Sequence, residues 1–110
     1  MSRSEKRCCP VQTTMDVIGG KWKIPILWVL RDEIKRFGQI KKEMTGITQK
    51  MLTAQLRELE TDGVISRKVY AQVPPRVEYA LTPIGKRLLP VFEALCDWGT
   101  QYNSMGNKET

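Results

Sequence analysis

The stretch that most constrains this chain runs from residue 46 to residue 65 and reads GITQKMLTAQLRELETDGVI. Leu52, Leu56 and Leu59 stand at positions i, i+4 and i+7, the spacing of an apolar stripe on one side of an α-helix. A glycine-containing turn precedes this run and an Asp-Gly pair ends it. Because three leucines would anchor one side in a core, the segment predicts a helix whose remaining side chains face outward.

The outward side chains are short, polar or basic, and they are Lys50, Thr53, Ala54 and Arg57. Thr48 is expected to cap the helix and to offer its hydroxyl to a phosphate, while Gln49 stands in the first turn, where free N–H groups favour anions. Gln49, Lys50 and Thr53 have the reach for base edges, and Ala54 permits close approach. The same periodicity also fits an ordinary core helix with a solvated outer face.

The neighbouring segments predict a helix-turn-helix followed by a β-hairpin. Before the turn, FGQIKKEM places its apolar residues on one helical face. After the leucine helix, Val64 to Tyr70 is rich in β-branched residues and residues 77–81 alternate, with a proline-containing link that cannot be helical between them. The hairpin would form a wing whose basic side chains contact the DNA backbone or minor groove, and these are Arg67, Lys68 and Arg76. Any one of these charges could instead be an ordinary surface residue.

The rest of the chain reads as helices around this unit. Pro10 opens a first helix, an apolar second helix starts after Gly20, and Ile34 fits a brief edge strand. Thr82 is expected to cap a short helix. Pro90 should kink or restart the helix, and a last helix then runs to about residue 102. We therefore expect a mainly α fold with a small β-hairpin, comprising a flexible arm (1–8), a single domain (9–102) and a frayed tail (103–110).

Composition narrows the classes of function. The chain has 110 residues, 41% hydrophobic and 27% charged, with 18 Lys+Arg against 12 Asp+Glu and a net charge of +6, which favours polyanionic partners. It has no histidine, the commonest general base and metal ligand, and its three cysteines form no C-x-x-C pair. We expect no enzyme, metal or cofactor. No apolar run is long enough for a membrane span, which predicts a cytoplasmic protein without a membrane partner.

Several longer motifs resemble the HxlR family of winged helix-turn-helix transcription regulators, relatives of the MarR type. These are CPV, GGKW (19–22), ITQKMLTAQLRELETDGVI, VPPRVEYALTPIG (73–85) and LLPVFEALCDWG (88–99). The resemblance implies a homodimer, paired through its first and last helices, that binds a near-palindromic operator in double-stranded DNA, with repression the expected outcome. Recognition helices would then lie about 34 Å apart.

The two terminal helices also suggest a dimer independently, because they carry more large apolar groups than one helix face needs. The candidate interface residues are Val11, Met15, Ile18, Phe92, Leu95, Trp98 and Tyr102. These residues could instead simply cover the domain's own core.

A cysteine before the proline senses oxidants or electrophiles in some HxlR-type regulators, and Cys9 matches it. Nearby basic residues and a helix N-terminus would favour its thiolate. Cys8 could form a disulfide with an oxidised Cys9 or merely accompany it. A disulfide between adjacent cysteines is strained, so a bond between two subunits, either between their N-terminal regions or with Cys96 of the partner, is the better expectation. A small apolar cysteine packed at an interface would need no redox role. Tryptophans could line an effector pocket, but the sequence names no ligand.

Two other classes of function stay open. The first is a winged-helix module that binds proteins and not DNA; such modules tend to lack a basic recognition helix and wing, which this sequence has. The second is a thiol-dependent enzyme built on Cys9, which would lack a histidine base.

Overall fold

The computed structural model describes residues 10–107, with side chains up to residue 105. Over that range the chain is mostly helical, with a small three-stranded antiparallel sheet. The elements in chain order are α1 (Pro10–Ile18), α2 (Lys23–Val29), β1 (Lys35–Arg36), α3 (Phe37–Glu43), α4 (Gln49–Thr61), β2 (Ile65–Tyr70), β3 (Arg76–Leu81), α5 (Pro83–Lys86) and α6 (Leu89–Asn107). This order confirms the predicted fold class.

The sheet adds one strand to the predicted hairpin. Its strand order is β1-β3-β2, so the long strands β2 and β3 pair from Ile65 opposite Leu81 to Tyr70 opposite Arg76. The two-residue β1 pairs with the other side of β3 and forms the edge strand expected near this point. Ile34 itself precedes β1 and is exposed. Since β1 leads directly into α3, this pairing fixes the first helix of the helix-turn-helix against the wing.

The leucine stripe of α4 lies in the centre of the core, as its spacing predicts. Leu52, Leu56 and Leu59 are 0%, 2% and 0% exposed. The other buried apolar side chains are Ile18, Ile26, Leu27, Leu30, Ile40, Met44, Ile47, Val64, Ile65, Leu81 and Phe92. Every helix except the four-residue α5 contributes an apolar residue, so α4 is held from several directions on its inner side.

Both ends of α4 are closed by local hydrogen bonds. Thr48 is the N-cap, and its hydroxyl oxygen accepts a hydrogen bond from the Met51 N–H at 3.1 Å. At the other end Gly63 adopts a φ of 82°, and the N–H of Val64 donates to the Leu59 carbonyl at 3.2 Å. This six-to-one bond across a left-handed glycine is a Schellman motif, which ends the helix and turns the chain into β2.

The start of α5 ties the far end of the hairpin to the end of α4. Thr82 caps α5 through the Gly85 N–H and donates its hydroxyl to the Gly63 carbonyl at 2.7 Å, while its own N–H bonds the Val64 carbonyl at 3.1 Å. Gly85 packs so closely that an added Cβ would collide with the Val64 carbonyl oxygen. The end of α4 and the wing, which is the β2–β3 hairpin, are therefore joined by one tightly packed junction.

The last helix is longer than the sequence suggests. Pro90 lies in the first turn of α6, as expected, but the helix continues to Asn107 and not to about residue 102. The predicted tail 103–110 is thus wrong for residues 103–107. Asn103 and Ser104 are weak helix formers, yet no proline or left-handed glycine stops the helix there, and the residues before them already form a helix that they can extend. The arm 1–8 and residues 108–110 lie outside the described residues.

Candidate nucleic-acid interface

The outer face of α4 carries the side chains expected for base reading. Gln49, Lys50, Ala54 and Arg57 are exposed, and Thr53 is half-buried. Because the leucines fill the opposite side, the first two turns of the helix present a polar surface backed by the core. This arrangement matches the geometry in which a recognition helix enters the major groove through its N-terminal residues.

The two threonines of this face have different hydrogen-bonding capacity. Thr48 accepts the Met51 N–H in its cap, so its own O–H is not used by that bond and can donate to a phosphate. Thr53 instead donates its hydroxyl to the Gln49 carbonyl at 2.9 Å, within its own helix. Thr53 is therefore left with acceptor capacity and its methyl group for contact with a base.

Two of the three basic residues predicted on the wing share one face of the hairpin. Lys68 and Arg76 both lie over the ring of Tyr70, with the Lys68 Nζ 5.1 Å and the Arg76 guanidinium carbon 4.3 Å from the ring centroid. The Arg76 Nε lies 3.4 Å from a Glu78 carboxylate oxygen but forms no hydrogen bond with the described residues. Stacking on Tyr70 and the nearby Glu78 carboxylate together place this cation.

Arg67 lies on the opposite face of the hairpin, because successive residues of a strand alternate sides. Its cross-strand partner is Tyr79, and its Nε lies 3.3 Å from a carboxylate oxygen of Glu60 in α4. Burial raises the pKa of the Tyr79 phenol above its ordinary value of 10.0; the nearby Arg67 opposes this shift. The structure therefore separates Arg67 from Lys68 and Arg76, and joins it to the recognition helix.

Sequence reasoning missed two basic residues next to this surface. Lys23 in α2 is 7% exposed and pairs with Glu58 of α4. Its position three residues before Ile26 and four before Leu27, both fully buried, was an available signal. Arg36 stands opposite Glu78 on the outer strand β1, and only the non-local pairing of β1 with β3 reveals it.

The structure divides the predicted dimer residues into two groups. Ile18 and Phe92 are 1% and 4% exposed within the domain's own core, so their assignment to a subunit interface is corrected. Both belong to apolar helices with more than one apolar side, and periodicity does not say which side packs inward. The remaining residues are exposed to between 47% and 65%, namely Val11, Met15, Leu95, Trp98 and Tyr102. Along α6 the Trp98 and Tyr102 rings stack with centroids 5.1 Å apart.

An open groove of about 680 Å³ runs between α2 and α6. Its lining is mainly apolar and includes Ile24, Trp28, Leu95 and the exposed Cys96, with Glu93 beside them. Of the three tryptophans considered for an effector pocket, only Trp28 lines this groove. The groove adjoins the exposed apolar residues of α6, and a surface of this kind is typical of an interaction site.

Cys9, the redox candidate, and Cys8 lie outside the described residues. Within residues 10–107 no helix is long and apolar enough to cross a membrane, and no cluster of three potential metal ligands occurs.

Comparison with known proteins agrees with this architecture. The model of the HxlR-like helix-turn-helix family matches residues 17–107. The helix-turn-helix transcriptional regulator YdeP of Bacillus subtilis is 56% identical over 100 residues, which cover 91% of this chain and 78% of YdeP.

Two solved structures show the same fold. The redox regulator HypR in its reduced form superimposes with a TM-score of 0.85 at 46% identity, over 91% of this chain and 99% of that one. A MarR-family transcriptional regulator from Porphyromonas gingivalis gives a TM-score of 0.80 at 38% identity, over 91% and 97%. These relatives are transcriptional regulators and not enzymes, as the sequence predicts. The chain belongs to the HxlR-like helix-turn-helix family.

Proposed function

We propose that this protein is a sequence-specific DNA-binding transcriptional regulator that acts in the cytoplasm as a homodimer on a near-palindromic operator. The observation that carries the proposal is the two-sided helix α4. Its leucines are buried, while its capped N-terminal turns expose Gln49, Lys50 and Ala54. A helix anchored in this way can enter a major groove without unfolding any part of the core.

Electrostatics supports a polyanionic partner. The chain has a net charge of +6, and the N-terminus of α4 adds free backbone N–H groups aligned with the helix dipole. Thr48, Gln49 and Arg57 would contact phosphates or base edges along α4, and Lys68 and Arg76 would contact the backbone from the wing. Arg67, paired with Glu60, would contribute less to DNA contact than the sequence suggested.

The exposed apolar faces of α1 and α6 support the homodimer. Exposed apolar side chains recur along both helices, with Val11 and Trp98 each 65% exposed, and such a cluster is typical of a surface that a partner covers. Pairing about a two-fold axis would present two α4 helices to successive major grooves, about 34 Å apart on one side of the duplex. Dimer formation and operator recognition would then depend on each other.

We further propose that binding is repressive and that Cys9 responds to oxidants. The oxidant response is supported by HypR, a redox regulator of similar sequence and fold. Diamide treatment should release wild-type protein from operator DNA, while Cys9→Ser should stay bound. If Cys9→Ser is released to the same extent, Cys9 has no part in the response.

The test of DNA binding is a selection from random duplexes, followed by fluorescence anisotropy with an enriched duplex and a scrambled one over a salt series. If the protein contacts roughly six to ten phosphates, raising the salt concentration from about 50 to 200 mM should reduce its affinity for DNA by roughly 10³ to 10⁵-fold. The enriched duplex should bind more tightly than the scrambled duplex at each salt concentration. If no duplex is enriched and none binds at low salt, the proposal is refuted, and a protein-binding module becomes the better explanation.

A further inference from the structure

Lys23 is the one charged side chain that is buried among the described residues. It belongs to the first turn of α2, and its Nζ lies 2.6 Å from a carboxylate oxygen of Glu58 in α4. The lysine side chain is 8% exposed and the glutamate side chain 58%. The ion pair therefore joins a desolvated cation in one helix to the half-open flank of the recognition helix.

A buried ammonium group is unfavourable unless hydrogen bonds and an opposite charge compensate it. Glu58 supplies that charge, so any movement of α4 that lengthened the contact would leave Lys23 uncompensated. The exposed ion pairs of a protein surface restrain geometry much less, because water replaces either partner at low cost. Burial of one partner thus makes this contact more sensitive to the position of α4.

A second ion pair restrains the other flank of the same helix. At about 100° per residue, Glu58 lies about 125° from the centre of the leucine stripe in one direction, and Glu60 lies about 75° from it in the other. Glu60 contacts the Arg67 Nε of β2 at 3.3 Å. The leucines hold α4 against the core, while these two contacts resist its rotation in opposite directions, the half-exposed Arg67–Glu60 pair more weakly than the Lys23–Glu58 pair.

We propose that Lys23 and Glu58 are positioning residues for base recognition, which set the rotation of α4 about its own axis together with the Arg67–Glu60 pair. This inference rests on the proposed DNA binding. A rotation of about 10° moves a side chain about 5 to 6 Å from the helix axis by about 1 Å. That displacement is enough to break a contact between a short side chain such as Thr53 and a base edge, whereas long side chains that contact phosphates can adapt.

The experiment compares Lys23→Met with Lys21→Met. Both changes remove one positive charge, but Lys21 is exposed, lies over the Trp22 ring and takes no part in the ion pair with Glu58. Methionine at position 23 keeps an apolar chain in the buried site and leaves Glu58 free to be solvated. Circular dichroism melts of each variant establish that it is folded at the assay temperature.

Affinities for the enriched and the scrambled duplex are measured at one salt concentration. Lys23→Met should lower the ratio of the two affinities by about fivefold or more relative to Lys21→Met, with equal affinity for the scrambled duplex. Glu58→Gln should lower the ratio too, and the double variant Lys23→Met/Glu58→Gln should lose no more than Lys23→Met. Should Glu58→Gln fail to fold, the single lysine variant and the double variant still decide the result.

Three outcomes overturn the inference, and the last of them can be distinguished from the first two. If the wild-type protein prefers the enriched duplex and Lys23→Met shows the same ratio as Lys21→Met, the pair does not position α4, although DNA binding stands. Losses that simply add in the double variant have the same meaning, because a shared contact is lost only once. If the wild-type protein discriminates between no duplexes, both the proposed function and this inference are refuted.

Discussion

Replacing Gly85 with alanine tests the junction between the end of α4 and the β2–β3 hairpin. A Cβ at this position would collide with the Val64 carbonyl oxygen and lie 3.1 Å from the Val64 carbonyl carbon. Neither backbone segment can move freely, because the Val64 oxygen accepts the Thr82 N–H at 3.1 Å and the Thr82 hydroxyl holds Gly63 at 2.7 Å. The added methyl group must therefore push α5 away from the end of α4.

Such overpacking costs about 1 to 3 kcal/mol of unfolding free energy. The matched control is Gly38→Ala in α3, where a Cβ would meet nothing within 4 Å. Alanine there should be neutral or stabilise by up to about 1 kcal/mol, because it restricts the unfolded chain and favours the helix. At about 4 to 8 °C per kcal/mol for a domain near this size, the two variants should differ in Tm by several degrees at least.

Urea unfolding at one fixed protein concentration measures both variants, since dimer formation would make the midpoint depend on concentration. Gly85→Ala should lower the midpoint without changing the slope, and Gly38→Ala should leave the midpoint unchanged or raise it. A Gly85→Ala protein as stable as the wild type would show that the approach of α5 to Val64 is not as tight as the structure indicates.

Three further perturbations test separate parts of the molecule. Thr48→Ala removes the acceptor of the Met51 N–H and should cost about 1 kcal/mol in urea unfolding, while Thr48→Ser should restore most of it. Burial raises the pKa of Tyr79, so the contribution of its neutral phenol to folding stability is present below pH 10 and is lost as pH rises through the folded-state pKa. In a titration followed at 295 nm, subtracting the Tyr79→Phe curve from the wild-type curve leaves the Tyr79 signal, and its midpoint should lie above 10.0. Trp98→Asp should give a monomer in sedimentation velocity, whereas the control Val73→Asp, at the 99% exposed wing tip, should stay dimeric. If Trp98→Asp also stays dimeric, the Trp98 face of α6 is not part of the interface.

The parts of the fold set by neighbouring residues were the ones the sequence could predict. The leucine spacing located α4 and its buried side, and Thr48 and Thr82 marked two helix starts, because a cap is formed by residues within three positions of it. Side chains alternate along a strand, so the sequence also indicates that Arg67 and Lys68 lie on opposite faces of the hairpin. Grouping Arg67, Lys68 and Arg76 as one set of wing cations did not use this signal.

The remaining features depend on contacts between distant parts of the chain. The place of Arg36 opposite Glu78 requires β1 to pair with β3, some forty residues later in the sequence. Ile18 and Phe92 were assigned to a dimer interface because an apolar helix position does not reveal whether it packs against its own core or a partner. The pairing of Lys23 with Glu58 is non-local as well, although the burial of Lys23 could have been suspected from its position.

The most direct test of the central claim is the ratio of affinities for the enriched and scrambled duplexes in Lys50→Ala, measured beside Arg76→Ala. If the exposed side of α4 reads bases, Lys50→Ala should reduce the ratio by roughly 5 to 150-fold, equivalent to about 1 to 3 kcal/mol of discrimination. Arg76→Ala should instead weaken both duplexes alike, because the contact proposed for it is to the DNA backbone, which carries no sequence information. Equal losses on both duplexes for Lys50→Ala would contradict the assignment of α4 as the recognition helix.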